Sequence, residues 1–333
     1  MKILFFCPSK FNLKSEKNNS LGGVESLNLS LSKNLANKGL KITLATDCKK
    51  IIKKKNLINV PVSKILSKKK EYHFDYIISS NEPYIFNYFE NSKKIFWMHN
   101  TLALEKAFRK KKLKSLLFNN VTSIFVSKYL KKITSRLYFF NNQLIIPNFL
   151  THDFLSDKFN IKRKKIVVWS VQRDKGLKET INMWINHVYP NNKKLKFYIF
   201  GINKKKIYKL KKFYLNYNIF FFGRVTKKHL KKVYNISSMM ICLGYDETFC
   251  LNALEANSCG LPVVTFGKTA LKEMIKHNKN GFVVNNFEEM ALYLNKFFDL
   301  NKSSLKKYVV NSIKHSRRFN IDKITNQWIK LLK

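Results

Sequence analysis

Short apolar runs alternate along the chain with stretches in which apolar residues recur every third or fourth position. Runs of strand length fall at 2–7, 41–46, 75–79, 94–98, 123–126 and 144–146, each bounded by polar or turn-forming residues. After a pause a second series appears at 166–171, 196–200, 219–222, 239–243, 262–266 and 281–284. Strands separated by segments of helical length predict parallel sheets with helices on both faces. The clearest helix carries Val24, Leu27, Leu31 and Leu35 on one face; Gly22 and Gly23 open it, and Gly39 falls where a helix end favours a left-handed residue. The pause runs from Ile146-Pro147-Asn148 through the polar, basic stretch 156–165, and it marks a domain boundary. The expected organisation is an α/β domain over 1–155, a second over 156–316, and a strandless helical segment over 317–333. Ligands of such sheets bind beyond the carboxyl ends of the strands, which places the chemistry in a cleft between the two domains.

A length of 333 residues suits two such domains, and 45% hydrophobic with 14% aromatic residues supplies their cores. The charge is lopsided, 64 Lys and Arg against 20 Asp and Glu, net +44. Glycine is scarce while Lys, Asn, Ile and Phe abound, a bias of the kind that an AT-rich genome produces without selection for function. The five cysteines form no CxxC pair and no cluster with histidine at metal spacing, so a reducing cytoplasm is the expected compartment. The apolar start at Ile3 is five residues long before Pro8, shorter than a signal-peptide core. No stretch reaches the 18 apolar residues of a membrane span, which limits any membrane contact to a peripheral one. Lysine clusters at 53–55, 68–70, 109–112, 162–165 and 204–206 read either as solvated background or as attraction to anionic lipid, with 103–118, carrying Leu104, Phe108 and Leu113, the best amphipathic candidate. No motif that reads DNA or RNA accompanies the charge, so no specific nucleic acid is expected.

The most informative segment is 246–264. It follows a strand, enters a helix through Ala253, Leu254 and Ala256, stops at Gly260 and returns to a strand at Pro262. Glu247 and Glu255 bracket this helix. Eight residues at a rise of about 1.5 Å separate them by about 12 Å, too far to share one substrate bond. They can hold the two ends of an extended ligand whose middle is anionic, because the N–H groups of Thr248, Phe249 and Cys250 at the helix start carry a partial positive charge. A nucleotide-diphosphate sugar has that shape. Each residue also has a plainer reading: Glu247 as a helix cap, Cys250 as a small helix residue, His99 as a satisfied buried histidine, and Gly22-Gly23 as an ordinary strand-to-helix turn.

This spacing resembles the E-x7-E motif of the retaining glycosyltransferases of family 4, which have the GT-B fold of two facing Rossmann-like domains. The likeness continues through Leu254-Glu255-Ala256, Cys259-Gly260-Leu261-Pro262-Val263-Val264, Ala270-Leu271-Lys272-Glu273 and Asn280-Gly281. Elsewhere Gly22-Gly23-Val24-Glu25 resembles the family's N-terminal glycine loop and Trp97-Met98-His99-Asn100 its histidine strand. Val126-Ser127-Lys128 and Ile146-Pro147-Asn148 are similar to its markers before the linker. The resemblance implies that Arg173 and Lys175 contact the donor diphosphate, with Arg224 a further candidate. Ser170 onwards replaces the usual Gly-Arg, so which cation takes which phosphate stays open. It implies donor contacts from Gly22, Gly23, Thr248, Phe249, Cys250 and Leu251. His99 would face the donor sugar, Glu247 would hold sugar hydroxyls, Glu255 would accept from ribose hydroxyls, and Glu273 is balanced between acceptor contact and surface.

Taken together, the resemblance implies a retaining, metal-independent glycosyltransferase without cofactor, moving a hexose-type sugar from a nucleotide-sugar donor to a glycan or lipid-linked acceptor of the bacterial surface. It implies a cytoplasmic enzyme in peripheral contact with an anionic membrane, and a C-terminal helix that packs back towards the N-terminal domain. A nucleotide-sugar epimerase of the same fold and a basic polyanion-binding protein are the competing readings.

Overall fold

The computed structural model describes residues 1–15, 21–110, 112–138, 140, 142–155, 162–170, 176–202 and 211–333. The chain divides into two compact units, Met1–Thr151 together with Ile321–Lys333, and His152–Asn320.

The first unit is built on one sheet. Its strands are β1 (Lys2–Phe6), β2 (Lys41–Thr46), β3 (Ile52–Lys54), β4 (Leu57–Pro61), β5 (Tyr76–Ser80), β6 (Lys93–Met98), β7 (Val121–Phe125) and β8 (Asn142–Ile145). They lie in the order β3-β4-β2-β1-β5-β6-β7-β8. Every neighbouring pair is parallel except β3 and β4. Ile3, Leu4, Phe5 and Phe6 are wholly buried, as a central strand covered on both faces requires. The hairpin β3–β4 is absent from the sequence reading, because Lys53-Lys54-Lys55 and Pro61 look like a loop. In the sheet they make sense: β3 is the rim, where exposed lysines oppose pairing with another edge. Pro61 lies beyond the Leu57–Asn59 stretch that β3 covers, so its missing N–H costs that ladder nothing.

The helix Gly23–Asn37 starts behind Gly22 and buries Leu27, Leu31 and Leu35. Gly39 ends it with φ 90°, its amide donating to the Ala36 carbonyl. Against this helix packs the last one, Ile321–Leu332. Asn34 Nδ2 donates to Asp322 Oδ1 and Thr325 Oγ1, each at 3.1 Å, and Trp328 meets Trp97 edge-on at 5.0 Å between ring centroids. Ile321, Ile324, Trp328 and Leu332 form its buried stripe.

The second unit has strands β9 (Ile166–Trp169), β10 (Lys196–Ile199), β11 (Ile219–Phe221), β12 (Met239–Ile241), β13 (Val263–Phe266) and β14 (Gly281–Val284). Their order is β11-β10-β9-β12-β13-β14, all parallel. That is the doubly wound Rossmann order, in which the connections leave β9 and β12 in opposite directions and open a crevice at their carboxyl ends. The core is aromatic: Trp184 stacks on Phe197 at 4.9 Å and donates through Nε1 to the Tyr217 carbonyl at 2.9 Å. The helix Lys302–Ser316 closes the unit, with Val309 and Ile313 buried.

Two glycines separate collision from conformation. A Cβ on Gly281 would lie 1.9 Å from the Val263 carbonyl oxygen in the neighbouring strand, whereas one on Gly39 would meet nothing within 4 Å. We expect Gly39→Ala to cost about 1–2 kcal/mol, the strain of a left-handed residue. Gly281→Ala should cost more than the roughly 1–3 kcal/mol typical of overpacking, since backbone must move. Urea-unfolding midpoints of the two variants check this; equal shifts would contradict it.

Candidate functional site

The crevice between β9 and β12 takes its shape from the segments that leave the two strands. β12 runs through Cys242 and Leu243 into a turn containing Gly244, Asp246 and Glu247. The Glu247 amide donates to the Gly244 carbonyl, and its own carbonyl accepts from Ala270 N, both at 3.3 Å. The helix Leu251–Ser258 begins only after Cys250, whose φ of 67° and ψ of 79° are left-handed. This corrects the sequence reading in one respect. Glu247, Thr248, Phe249 and Cys250 precede the helix, so helical rise does not measure the distance between the glutamates. The first-turn amides belong to Leu251, Asn252 and Ala253. The cause is packing: Cys250 Sγ lies 3.5 Å from Cys242 Sγ, and Phe249 is buried edge-on against Phe319 at 5.7 Å. These contacts fold the chain back onto the end of β12 before it can coil. The Cys242 contact and burial push the Cys250 thiol well above its ordinary pKa, which leaves it protonated and unreactive.

Glu255 lies within the helix, with only 6% of its side chain exposed, and its Oε1 accepts from Lys227 Nζ at 2.8 Å. Lys227 opens the helix Lys227–Ile236, which Thr226 caps by accepting from His229 N at 3.1 Å. One turn on, Lys231 donates to the Asp153 carbonyl, and both lysines stand over the Phe154 ring, at 5.8 and 6.0 Å. Further along the same helix, buried Tyr234 meets Ser170 Oγ through its hydroxyl at 2.6 Å. Burial and the nearby Glu255 hold that phenol well above its ordinary pKa. Ser170 directly follows β9, and its carbonyl accepts from Asn252 Nδ2. Asn252, Ser170 and Tyr234 thus form one set of polar contacts at the carboxyl end of β9, and Lys227 with Glu255 a second between the same two helices.

Sequence reasoning missed two members of this arrangement. Lys227 belongs to no singled-out cluster, and Arg163 falls in the cluster 162–165, which reads either as solvated background or as attraction to anionic lipid. Arg163 is instead half-buried, donating from Nη1 to the Tyr234 and Ser237 carbonyls at 2.9 and 2.8 Å and from Nη2 to the Cys259 carbonyl at 2.6 Å. It binds the carboxyl ends of both helices, where a cation is favoured, and burial lowers its pKa to about 10. No sequence signal distinguishes it from neighbouring lysines. Asn280, part of the Asn280-Gly281 pair, is likewise structural: its Nδ2 donates to Asn257 Oδ1 at 2.6 Å and to the Met274 carbonyl at 3.1 Å.

The remaining candidates lie elsewhere. Arg224 is exposed in the loop after β11, the sheet's rim strand, and Glu273 is half-buried on the short helix Leu271–Met274, next to the Ala270 that Glu247 binds. Arg173 and Lys175 fall outside the described residues. In the first unit Gly22 precedes the helix that Gly23 begins, at the carboxyl side of β1, and His99 directly follows β6. The His99 amide donates to Asn81 Oδ1 at 2.9 Å, and its ring lies 4.4 Å from that of Trp97. Burial lowers the imidazole pKa to about 3, so near pH 7 it acts as a neutral group. Among the described residues no group of three or more His, Cys, Asp or Glu side chains gathers as a metal site.

Between its ordinary pKa near 6.5 and about 3, His99 takes up a proton in the unfolded chain but not in the folded one. Its contribution to stability is therefore whole above pH 6.5 and declines as pH falls towards 3. His315, lowered to about 4 by burial, Arg318 and Lys276, acts in the same sense. We expect His99→Gln to flatten the loss of urea stability between pH 7 and 4; an unchanged slope would refute the burial of a neutral imidazole.

Residues 152–315 match the family described as "Glycosyl transferases group 1". Spore coat protein SA of Bacillus subtilis is 29% identical over 102 residues, 30% of this chain and 26% of that protein. The chain therefore spans about a quarter of that relative's length. Among solved structures, WaaG, a glycosyltransferase involved in lipopolysaccharide biosynthesis, is similar with a TM-score of 0.74 at 12% identity, covering 99% of each chain. HepE of Anabaena in complex with UDP-glucose gives a TM-score of 0.71 at 15% identity, covering 100% of this chain and 99% of that one. At such identities the structural likeness establishes the fold. The whole chain has the GT-B fold of two Rossmann-like α/β units, and its second unit carries the sequence pattern of the group 1 glycosyl transferases.

Proposed function

We propose that the protein is a retaining glycosyltransferase that moves a sugar from a nucleotide-diphosphate sugar to a glycan or lipid-linked acceptor, in the synthesis of lipopolysaccharide, capsule or another surface glycan. The observation that carries the reading is the placement of Glu247 and Glu255 on either side of the start of the helix Leu251–Ser258 at the β9/β12 crevice, within the stretch that matches the glycosyltransferase family. WaaG, involved in lipopolysaccharide biosynthesis, and HepE, seen in complex with UDP-glucose, support the acceptor and donor classes. In this reading Glu255 accepts from ribose hydroxyls. Glu247 holds sugar hydroxyls as positive charge develops at the anomeric carbon, and Arg173, Lys175 and the first-turn amides compensate the departing diphosphate without a metal. The leaving phosphate takes the acceptor proton on the same face of the sugar. His99 contributes from the first unit as a neutral group, and Gly22 and Gly23 leave backbone open to the donor.

Incubation with UDP-, GDP-, ADP- and dTDP-sugars should release one nucleoside diphosphate and a sugar product of retained anomeric configuration, and release should survive EDTA. Interconversion of free nucleotide sugars would favour an epimerase, and complete EDTA inhibition reversed by Mg2+ would remove the cations from their assigned role. Glu255→Gln should weaken nucleoside-diphosphate binding by about 1.5–3 kcal/mol, while Glu247→Gln should lower turnover with that affinity nearly unchanged. Equal loss of diphosphate affinity in both variants, measured by calorimetry, would reverse these placements.

The same proposal includes docking on an anionic membrane. Supporting it, Phe108, Leu117, Phe118, Ile133 and Leu137 of the first unit are exposed, Phe118 to 80%, among Arg109, Lys110, Lys114, Lys132 and Arg136. No helix among the described residues is long and apolar enough to cross a membrane. Lys112 is committed elsewhere, to Glu82 Oε1 and the Asn81 carbonyl, both at 2.8 Å. Vesicle binding should require anionic lipid and weaken with salt, as the Debye length falls from about 10 Å at 0.1 M to about 3 Å at 1 M. Phe118→Ser with Lys110→Gln and Lys114→Gln should weaken it while donor affinity is unchanged; equal binding to neutral vesicles would return the charge to compositional background.

A further inference from the structure

We propose that Asn81 is a positioning residue for His99: its side chain orients the peptide by which His99 leaves β6, and Lys112 locks Asn81 in the conformation that lets it do so. The inference rests on the role given to His99 above and adds two residues of the first unit to it.

β5 and β6 are neighbours in the first sheet, with Ser80 level with Trp97. Past that pair the chain of β5 turns off at Asn81, whose φ of 61° is left-handed, while β6 continues to His99. The Asn81 amide still donates to the Trp97 carbonyl at 3.3 Å, and its Oδ1 accepts from the His99 amide at 2.9 Å. Asn81 therefore grips the carboxyl end of β6 twice, by its main chain at Trp97 and by its side chain two residues on. The second grip adds nothing to the pairing of the strands, which is complete over Tyr76–Ser80 and Lys93–Trp97. What it fixes is the direction in which His99 leaves the sheet, at the end where such sheets meet their ligands.

Asparagine suits this place on two counts: it tolerates the left-handed region better than most residues, and its short side chain carries an acceptor. Left-handed backbone still costs energy and persists where its surroundings impose it. Lys112 Nζ donates to the Asn81 carbonyl and to Glu82 Oε1, both at 2.8 Å, with only 12% of the lysine side chain exposed. An ammonium withdrawn from water needs acceptors, and both of these belong to the turn. Ser79 Oγ donates to the Glu82 carbonyl, which closes the turn from within. From the other side Asn28 Nδ2 donates to Ser80 Oγ and to the Val24 carbonyl, each at 2.9 Å, which ties the turn to the helix that Gly22 and Gly23 open. One four-residue turn thus joins the two parts of the first unit that the donor reading uses.

The test uses the full chain and whichever of the UDP-, GDP-, ADP- and dTDP-sugars it turns over. Asn81→Gly keeps a residue at ease in left-handed backbone and removes the acceptor; Asn81→Asp keeps an acceptor oxygen. Because a displacement of about 1 Å at such a site costs up to about a hundredfold in rate, Asn81→Gly should lower kcat about tenfold or more, with KM for the nucleotide sugar changed about twofold or less. Its urea-unfolding midpoint should stay close to that of the unaltered protein, and Asn81→Asp should return most of the rate. Lys112→Met should lower kcat in the same way, and adding it to Asn81→Gly should change little more, since both act through one turn. A rate for Asn81→Gly within about twofold of the unaltered protein would overturn the inference. So would an equal loss in Asn81→Asp, or losses that multiply in the double variant. Should Asn81→Gly fail to fold, loss of rate in Lys112→Met together with its retention in Asn81→Asp is required. An unaltered protein that turns over none of the four sugars would instead overturn the donor reading, and this inference with it.

Discussion

The second unit depends on one guanidinium. Arg163 gathers the carbonyls that end two helices, Tyr234 and Ser237 on one side and Cys259 on the other. A helix carboxyl end carries about half a negative charge, so two such ends would repel at close range without a cation between them. Arginine suits the place because its planar fork reaches three acceptors at once. Gly260 leaves the room it needs: a Cβ there would stand 2.7 Å from Arg163 Nη2 and as close to Val309 Cγ1.

With their carboxyl ends fixed, the two helices run side by side and their facing side chains meet. Lys227 and Tyr234 come from one, Glu255 and Asn252 from the other, and Ser170 joins them from the end of β9. These contacts are therefore a product of helix pairing rather than of a continuous motif. The Glu255 carboxylate is enclosed and accepts from Lys227. The left-handed Cys250 performs a related task, turning the chain so that Glu247 stays in the turn after β12 while Glu255 belongs to the helix.

The first unit handles its own constraint differently. Its helix Gly23–Asn37 buries Leu27, Leu31 and Leu35, and the neighbouring helix that completes the packing comes from the far end of the sequence, Ile321–Leu332. Trp328 against Trp97, and Asn34 donating to Asp322 and Thr325, close that contact. Asn34 is a polar position that an amphipathic count assigns to solvent; here its amide finds two acceptors on a segment nearly three hundred residues away.

Apolar periodicity by itself determined the parallel strands of both sheets and the long helix behind Gly22, because burial on both faces demands unbroken apolar runs and a helix demands a stripe. The spacing of Glu247 and Glu255 did not show that the helix starts only at Leu251, after the left-handed Cys250. The hairpin β3–β4 escaped this reading, since the rim strand β3 tolerates lysine and Pro61 ends β4 beyond the stretch that β3 covers. Arg163 and Lys227 escaped it as well: in a chain this basic, a paired cation and a solvated one look the same until their partners are known. Those partners, three carbonyls for Arg163 and one enclosed carboxylate for Lys227, lie between 28 and 96 residues away, and only the folding of one helix beside another brings them within hydrogen-bond reach.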